Sequence, residues 1–223
     1  VVKVVVTHYH ADHIYGLQVY ADEGAQVIAP GEALAYVNGP QAATRLAERR
    51  ETLRPFIDER TRVVYPDVLV DRDTTFTLGD YSFTLQPFGP VHSDGDLTML
   101  VQPGGVLFSG DLIFEGRVPF VGDADTRRWI EVLDGLLKGR LSALVPGHGA
   151  ASRNPDATLS LTRDYLAFLR AVMGRAVEEM QSFDEAYAAV DWTRYRDLPA
   201  FEAANRRNAY AVYLGLENES MGR

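Results

Sequence analysis

Hydrophobic positions recur along this chain with two different periods, and the change of period organises it. Residues 1–6, Val-Val-Lys-Val-Val-Val, are almost uniformly apolar and β-branched, the pattern of a buried strand. A helix is predicted over 12–23, with Ile14, Leu17 and Tyr20 on one stripe, Asp12 as its cap and Gly24 as its stop. A short strand follows at 26–29 and a short helix at 31–37. Residues 41–60 read as a charged helical stretch interrupted at Pro55, an insertion suited to a lid or pocket wall. From Arg62 onward the period falls to two. Strands are predicted at 67–70, 74–78 and 81–87, with Leu78-Gly79-Asp80-Tyr81 as a hairpin turn, and at 97–102 and 106–109 around Pro103-Gly104-Gly105. A helix at 125–137 and a strand at 143–145 follow. From Pro155 the pattern is helical, over 157–180, 183–190 and 199–216.

With 223 residues, 46% hydrophobic and 24% charged, the chain is long enough for one large domain with a helical tail. The net charge of -9 argues against a nucleic-acid surface, because phosphate binding needs clustered Lys and Arg. A small-molecule substrate is the expected partner. There are no cysteines, so any metal must be held by nitrogen and oxygen. No run approaches the roughly 18 apolar residues of a membrane span, so no membrane partner is expected. The compartment is not legible: bacterial cytoplasm and periplasm both remain open.

The densest chemistry lies at Thr-His-Tyr-His-Ala-Asp-His, residues 7–13, where the first strand runs out. If the strand continues, its period of two puts His8 and His10 on one face, close enough to share an ion. Asp12 and His13 then fall where the next helix opens, in reach of a second ion. The bland alternative is a solvated strand-to-helix turn.

The other two histidines also occupy predicted turns. His92 lies in Gly89-Pro90-Val91-His92-Ser93-Asp94-Gly95-Asp96, and His148 in Val145-Pro146-Gly147-His148-Gly149. Glycines there let the backbone approach a metal closely. Asp111, in Phe108-Ser109-Gly110-Asp111, ends an apolar strand. An ionised carboxylate in that position costs several kcal/mol unless it is paired or metal-bound.

Taken in order, His-x-His-x-Asp-His, a lone His in a Gly-rich turn, Ser-Gly-Asp and Gly-His-Gly, the motifs resemble the metallo-β-lactamase superfamily over about residues 1–149. The resemblance implies an α+β fold, a four-layer αβ/βα sandwich, with the metal-binding domain at 1–154 and a C-terminal helical extension at 155–223. It implies that His8, His10 and His92 hold one metal, that Asp12, His13 and His148 hold a second, and that Asp111 bridges them. Two divalent ions are expected, zinc first, with iron or manganese fitting the same donors. Asp111 is similar to the bridging carboxylate of glyoxalase II-type thioesterases, lactonases and ribonuclease Z, where β-lactamases carry Cys or Ser. The acidic balance disfavours ribonuclease Z, and His10 stands where the flavodiiron branch has Glu. Residues 89–122 and Asn208-Ala209-Tyr210 also resemble a bacterial group of zinc metallohydrolases linked to quinoprotein relay systems.

The function implied is hydrolysis of an ester, thioester or lactone, with a hydroxide shared by two ions about 3.5 to 4 Å apart as nucleophile and Asp12 orienting it and relaying a proton. The alternatives are a mononuclear iron oxygenase resembling persulfide dioxygenase, a β-lactamase, and a non-catalytic metal-binding relay module. Members of the superfamily carry several strands before the His-rich run, whereas here the run begins at His8. The expectation is that those strands are missing from this chain, and that a homo-oligomer or another association covers the exposed sheet edge.

Overall fold

The computed structural model of the chain describes residues 1–122 and 124–222. They form two compact units, Val1–Pro103 and Gly104–Arg223. The boundary expected at residue 154 marks the extent of a metal-binding domain and is a different division.

The first unit runs β1 (Lys3–Val5), α1 (Ala11–Ile14), α2 (Leu17–Asp22), β2 (Gln26–Pro30), α3 (Ala33–Asn38), α4 (Ala42–Thr52), β3 (Val68–Val70), β4 (Thr74–Leu78), β5 (Tyr81–Gly89) and β6 (Asp96–Gln102). Strands β1, β2 and β3 pair in parallel, with Val4 beside Val27 and Ile28 beside Val68. Such a sheet is covered on both faces. On one face Val6, Tyr9, Ile14, Tyr15 and Val27 are buried in one cluster with the helices. On the other, Ile28 and Val70 meet Leu85 and Leu97 of the antiparallel β4–β5–β6 meander. Burying each such side chain contributes about 1.5–3 kcal/mol. Two sheets therefore lie face to face, as the sandwich expectation requires.

The second unit contains β7 (Val106–Phe114), α5 (Thr126–Leu136), β8 (Ala143–His148), α6 (Pro155–Glu178), α7 (Phe183–Ala189) and α8 (Phe201–Met221). Strands β7 and β8 pair in parallel. Helix α6 starts at a cap in which Asn154 accepts from the Ala157 amide, with Pro155 in the first turn. It fastens to β7 through Thr162, whose hydroxyl accepts from Phe114 N at 3.1 Å and donates to Phe114 O at 3.3 Å. Trp129 of α5 is fully buried and donates to Leu112 O at 2.9 Å. Among the described residues no helix is long and apolar enough to cross a membrane.

Several expected boundaries shift, each for a local reason. Strand β1 ends at Val5, so Thr7 to His10 form a loop rather than a continued strand. Asp12 is not the cap of the following helix: His10 holds that position, and Asp12 lies in the first turn. The helix expected over 12–23 breaks at Gly16, where glycine weakens helix propagation. Helix α4 stops at Thr52, before the predicted interruption at Pro55. Strand β7 runs five residues past the expected end because Gly110, at φ 52°, absorbs a register shift and lets Asp111 to Phe114 continue buried. Helix α8 extends to Met221, held by Glu219.

Candidate metal centre

In the first unit the loop after β1 and the turn after β5 carry three imidazoles to one point. His8 Nε2 lies 3.1 Å from His10 Nδ1, and His92 Nε2 lies 3.1 Å from the same His10 nitrogen. His8 is fully buried and His92 nearly so. One imidazole nitrogen carries at most one proton or one in-plane lone pair, so His10 Nδ1 cannot make two good hydrogen bonds of this kind at once. A cation at the convergence point satisfies all three. Ligands at the usual zinc–nitrogen distance of about 2.0–2.1 Å in tetrahedral array stand about 3.3–3.4 Å apart, close to the spacing seen. The donor set therefore fits a divalent metal. Strand alternation was expected to put His8 and His10 on one face; the strand stops at Val5, and a loop brings these two rings together instead. The second nitrogen of His8 faces Thr7 Oγ1 at 3.2 Å, an outer partner that fixes the ring's orientation.

His13, the third residue of α1, brings its ring centroid within 4.2 Å of that of His8, and its Nε2 lies 3.4 Å from Asp12 Oδ2. Asp12 itself is exposed. The first unit thus assembles His8, His10 and His92, with His13 and Asp12 beside them.

In the second unit Asp111 is 4% exposed, and its Oδ2 lies 3.3 Å from His148 Nε2. The His148 ring stacks on Phe114, centroids 5.4 Å apart. Gly147 is a close backbone approach to a carboxylate: a Cβ there would stand 1.9 Å from Asp111 Oδ1. Gly149, at φ 108°, is similarly pressed against the Glu115 backbone, and Glu115 N donates to His148 O at 2.9 Å.

One feature of the site escapes sequence reading. Asp96 is 2% exposed and accepts from Val91 N, Ser93 N and Ser93 Oγ. Burial pushes its carboxyl up to about 6, against the lowering effect of the Ser93 hydrogen bonds. Its one sequence signal is an acidic residue closing the same Gly-rich turn as His92. Tyr9, between His8 and His10, is packed into the core beside Tyr36. Burial pushes its phenol up to about 12, and its hydroxyl has no hydrogen-bond partner.

A family model described as the metallo-beta-lactamase superfamily matches residues 1–148. The acyl-coenzyme A thioesterase MBLAC2 of Gallus gallus is 31% identical over 157 residues, which cover 65% of this chain and 55% of that protein. The chain thus spans about half the length of the curated relatives it matches. The inverting sec-alkylsulfatase Pisa1 from Pseudomonas sp. aligns with a TM-score of 0.69 at 21% identity, covering 95% of this chain and 40% of that one. A metallo-beta-lactamase family protein from Thermus thermophilus aligns with a TM-score of 0.67 at 17% identity, covering 97% of this chain and 73% of that one. At these identities the solved structures speak to the fold.

Proposed function

Since the chain belongs to the metallo-beta-lactamase superfamily, we propose that it is a metal-dependent hydrolase of thioesters, acting on a small acyl thioester of the coenzyme A kind. The observation that carries this reading is the meeting of His8, His10 and His92 nitrogens at 3.1 Å spacings, which suits a cation better than it suits hydrogen bonds. The thioester is chosen over the ester and the lactone because the relative at 31% identity is named an acyl-coenzyme A thioesterase.

By the family pattern, His8, His10 and His92 would hold one ion and Asp12, His13 and His148 a second, with Asp111 as a further carboxylate ligand. Zinc is the first choice, since every donor is nitrogen or carboxylate oxygen. Two such cations, when bound, supply a water acidified toward neutral pH and a Lewis acid for the carbonyl oxygen. Thr7 holds the His8 ring in the orientation that points Nε2 inward. Asp12, exposed and beside His13, would orient the water and relay its proton to solvent. Asp111 is buried, so an ionised carboxylate there is heavily penalised unless a cation balances it. No side-chain nucleophile is required.

The reading is tested by hydrolysis of acetyl- and longer acyl-coenzyme A by the zinc-loaded protein, with and without chelator. Hydrolysis that disappears with chelator and with His8→Ala or His10→Ala supports it. Undiminished turnover in either variant overturns it.

A further inference from the structure

Strand β5 ends at Gly89 and β6 begins at Asp96, and the turn between them carries His92. Asp96 reaches back into that turn. Its Oδ2 accepts from Ser93 N at 2.8 Å and from Val91 N at 3.2 Å, and its Oδ1 accepts from Ser93 Oγ at 2.9 Å. The donors lie on both sides of His92, so one carboxylate brackets the residue that it does not itself ligate. Val91 N also donates to Ser93 O at 3.0 Å, which tightens the same loop.

The residue after Asp96 ties this turn to the other ligand-bearing segment. Leu97 N donates to Thr7 O at 2.8 Å, and Thr7 Oγ1 faces His8 Nδ1. The outer side of the turn is closed as well: a Cβ at Gly95 would lie 2.6 Å from Glu32 Cβ. A carboxylate this deeply buried is heavily penalised unless its lone pairs are occupied, and three donors from one turn occupy them.

From this arrangement we propose that Asp96 is a positioning residue, which sets His92 Nε2 in register with the His8 and His10 nitrogens by clamping the turn on either side of it. The inference rests on the reading of those three histidines as ligands to one ion. Outer-shell groups that orient metal ligands typically change affinity by about 10–100-fold when altered. Asp96→Asn keeps the shape but turns an NH2 group toward backbone donors. Ser93→Ala removes one donor and leaves two amides in place.

Cobalt(II) titration, followed by its visible ligand-field absorption, separates positioning from general stability. The wild type is compared with Asp96→Asn, Ser93→Ala, His92→Ala and Asn208→Ala, the last a destabilising change remote from the turn in sequence. Asp96→Asn is expected to weaken cobalt binding by about 10–100-fold and to alter the absorption bands. Ser93→Ala is expected to weaken it several-fold, and to carry the test if Asp96→Asn does not fold. Asn208→Ala should lower the melting temperature while leaving the bands unchanged. Wild-type cobalt affinity and bands in folded Asp96→Asn or in Ser93→Ala, with His92→Ala impaired, overturn the proposal and leave the ligand reading standing. Wild-type binding by His92→Ala overturns the ligand reading and the proposal with it.

Discussion

Gly147 and Asp111 occupy one corner of the second unit, where a methyl group on Gly147 would stand 1.9 Å from Asp111 Oδ1 and 2.8 Å from the Gly110 carbonyl carbon. Neither neighbour can give way easily, because Asp111 is buried in β7 and Gly110 sits at its bulge. The glycine that precedes His148 is therefore a steric requirement of the carboxylate opposite it.

Gly147→Ala is accordingly expected to displace the Asp111 carboxylate and to cost about 1–3 kcal/mol through overpacking. Because Asp111 is a proposed carboxylate ligand, retained zinc after dialysis and acyl-coenzyme A hydrolysis should fall at least about tenfold. Metal content by mass spectrometry and steady-state turnover check both. A variant with wild-type metal content and rate would remove Asp111 from the centre.

Tyr9→Phe should behave in the opposite way. The Tyr9 hydroxyl is buried without a partner, and an unsatisfied polar group costs about 1–3 kcal/mol. Removing it is expected to leave the melting temperature unchanged or to raise it by a few degrees. A marked fall, measured by calorimetry, would show that the hydroxyl is needed in this motif.

Asn208 is the polar hinge of the second unit. Its Nδ2 donates to Pro119 O at 2.7 Å and to Tyr165 Oη at 3.0 Å, while its Oδ1 accepts from Val121 N at 3.1 Å, all out of contact with water. Asn208→Ala strands these groups and should cost about 2–4 kcal/mol. Urea denaturation gives the value. A loss under about 0.5 kcal/mol, the range of ordinary surface substitutions, would contradict the network's importance.

The end of α8 is fastened by Glu219, which accepts bidentately from Arg170 at 3.1 and 3.0 Å and also pairs with Arg127. Arg170 beside it holds the Glu219 carboxyl below its ordinary value of 4.5. A carboxyl depressed in the folded state stabilises above its unfolded pKa and loses that contribution as pH falls through its folded pKa. The half-exposed setting limits the effect to about 1 kcal/mol. Glu219→Gln should therefore melt a few degrees lower than wild type at pH 7, and the gap should close below pH 4.5. An equal gap at pH 7 and pH 3.5 would contradict the assignment.

The seven candidate ligands stand out in the sequence because His and Asp side chains are crowded into short segments after apolar strands, where a core-forming sequence has no use for them. The face-to-face sheets were implied by the resemblance to the metallo-β-lactamase superfamily, whereas the period-two runs located only the strands, β4 at 74–78 among them. What stayed hidden depended on how turns fold back. Asp96 carries only the signal of an acidic residue closing the His92 turn until Val91 and Ser93 come round to meet it. The bulge at Gly110 hid the true length of β7, and the distant partners Arg170 and Arg127 hid the last turn of α8. The loop from Thr7 to His10 brought its imidazoles together by turning, whereas the pattern alone suggested a strand.

The most direct test of the dinuclear reading is the metal-to-chain ratio of the purified protein after equilibration with zinc and removal of unbound ion. Three ligands in each set, with Asp111 as a further one, call for about two zinc ions per chain. His8→Ala should lower that ratio to about one or less. A wild-type chain that retains no zinc, or that holds a single iron and consumes oxygen, would contradict it.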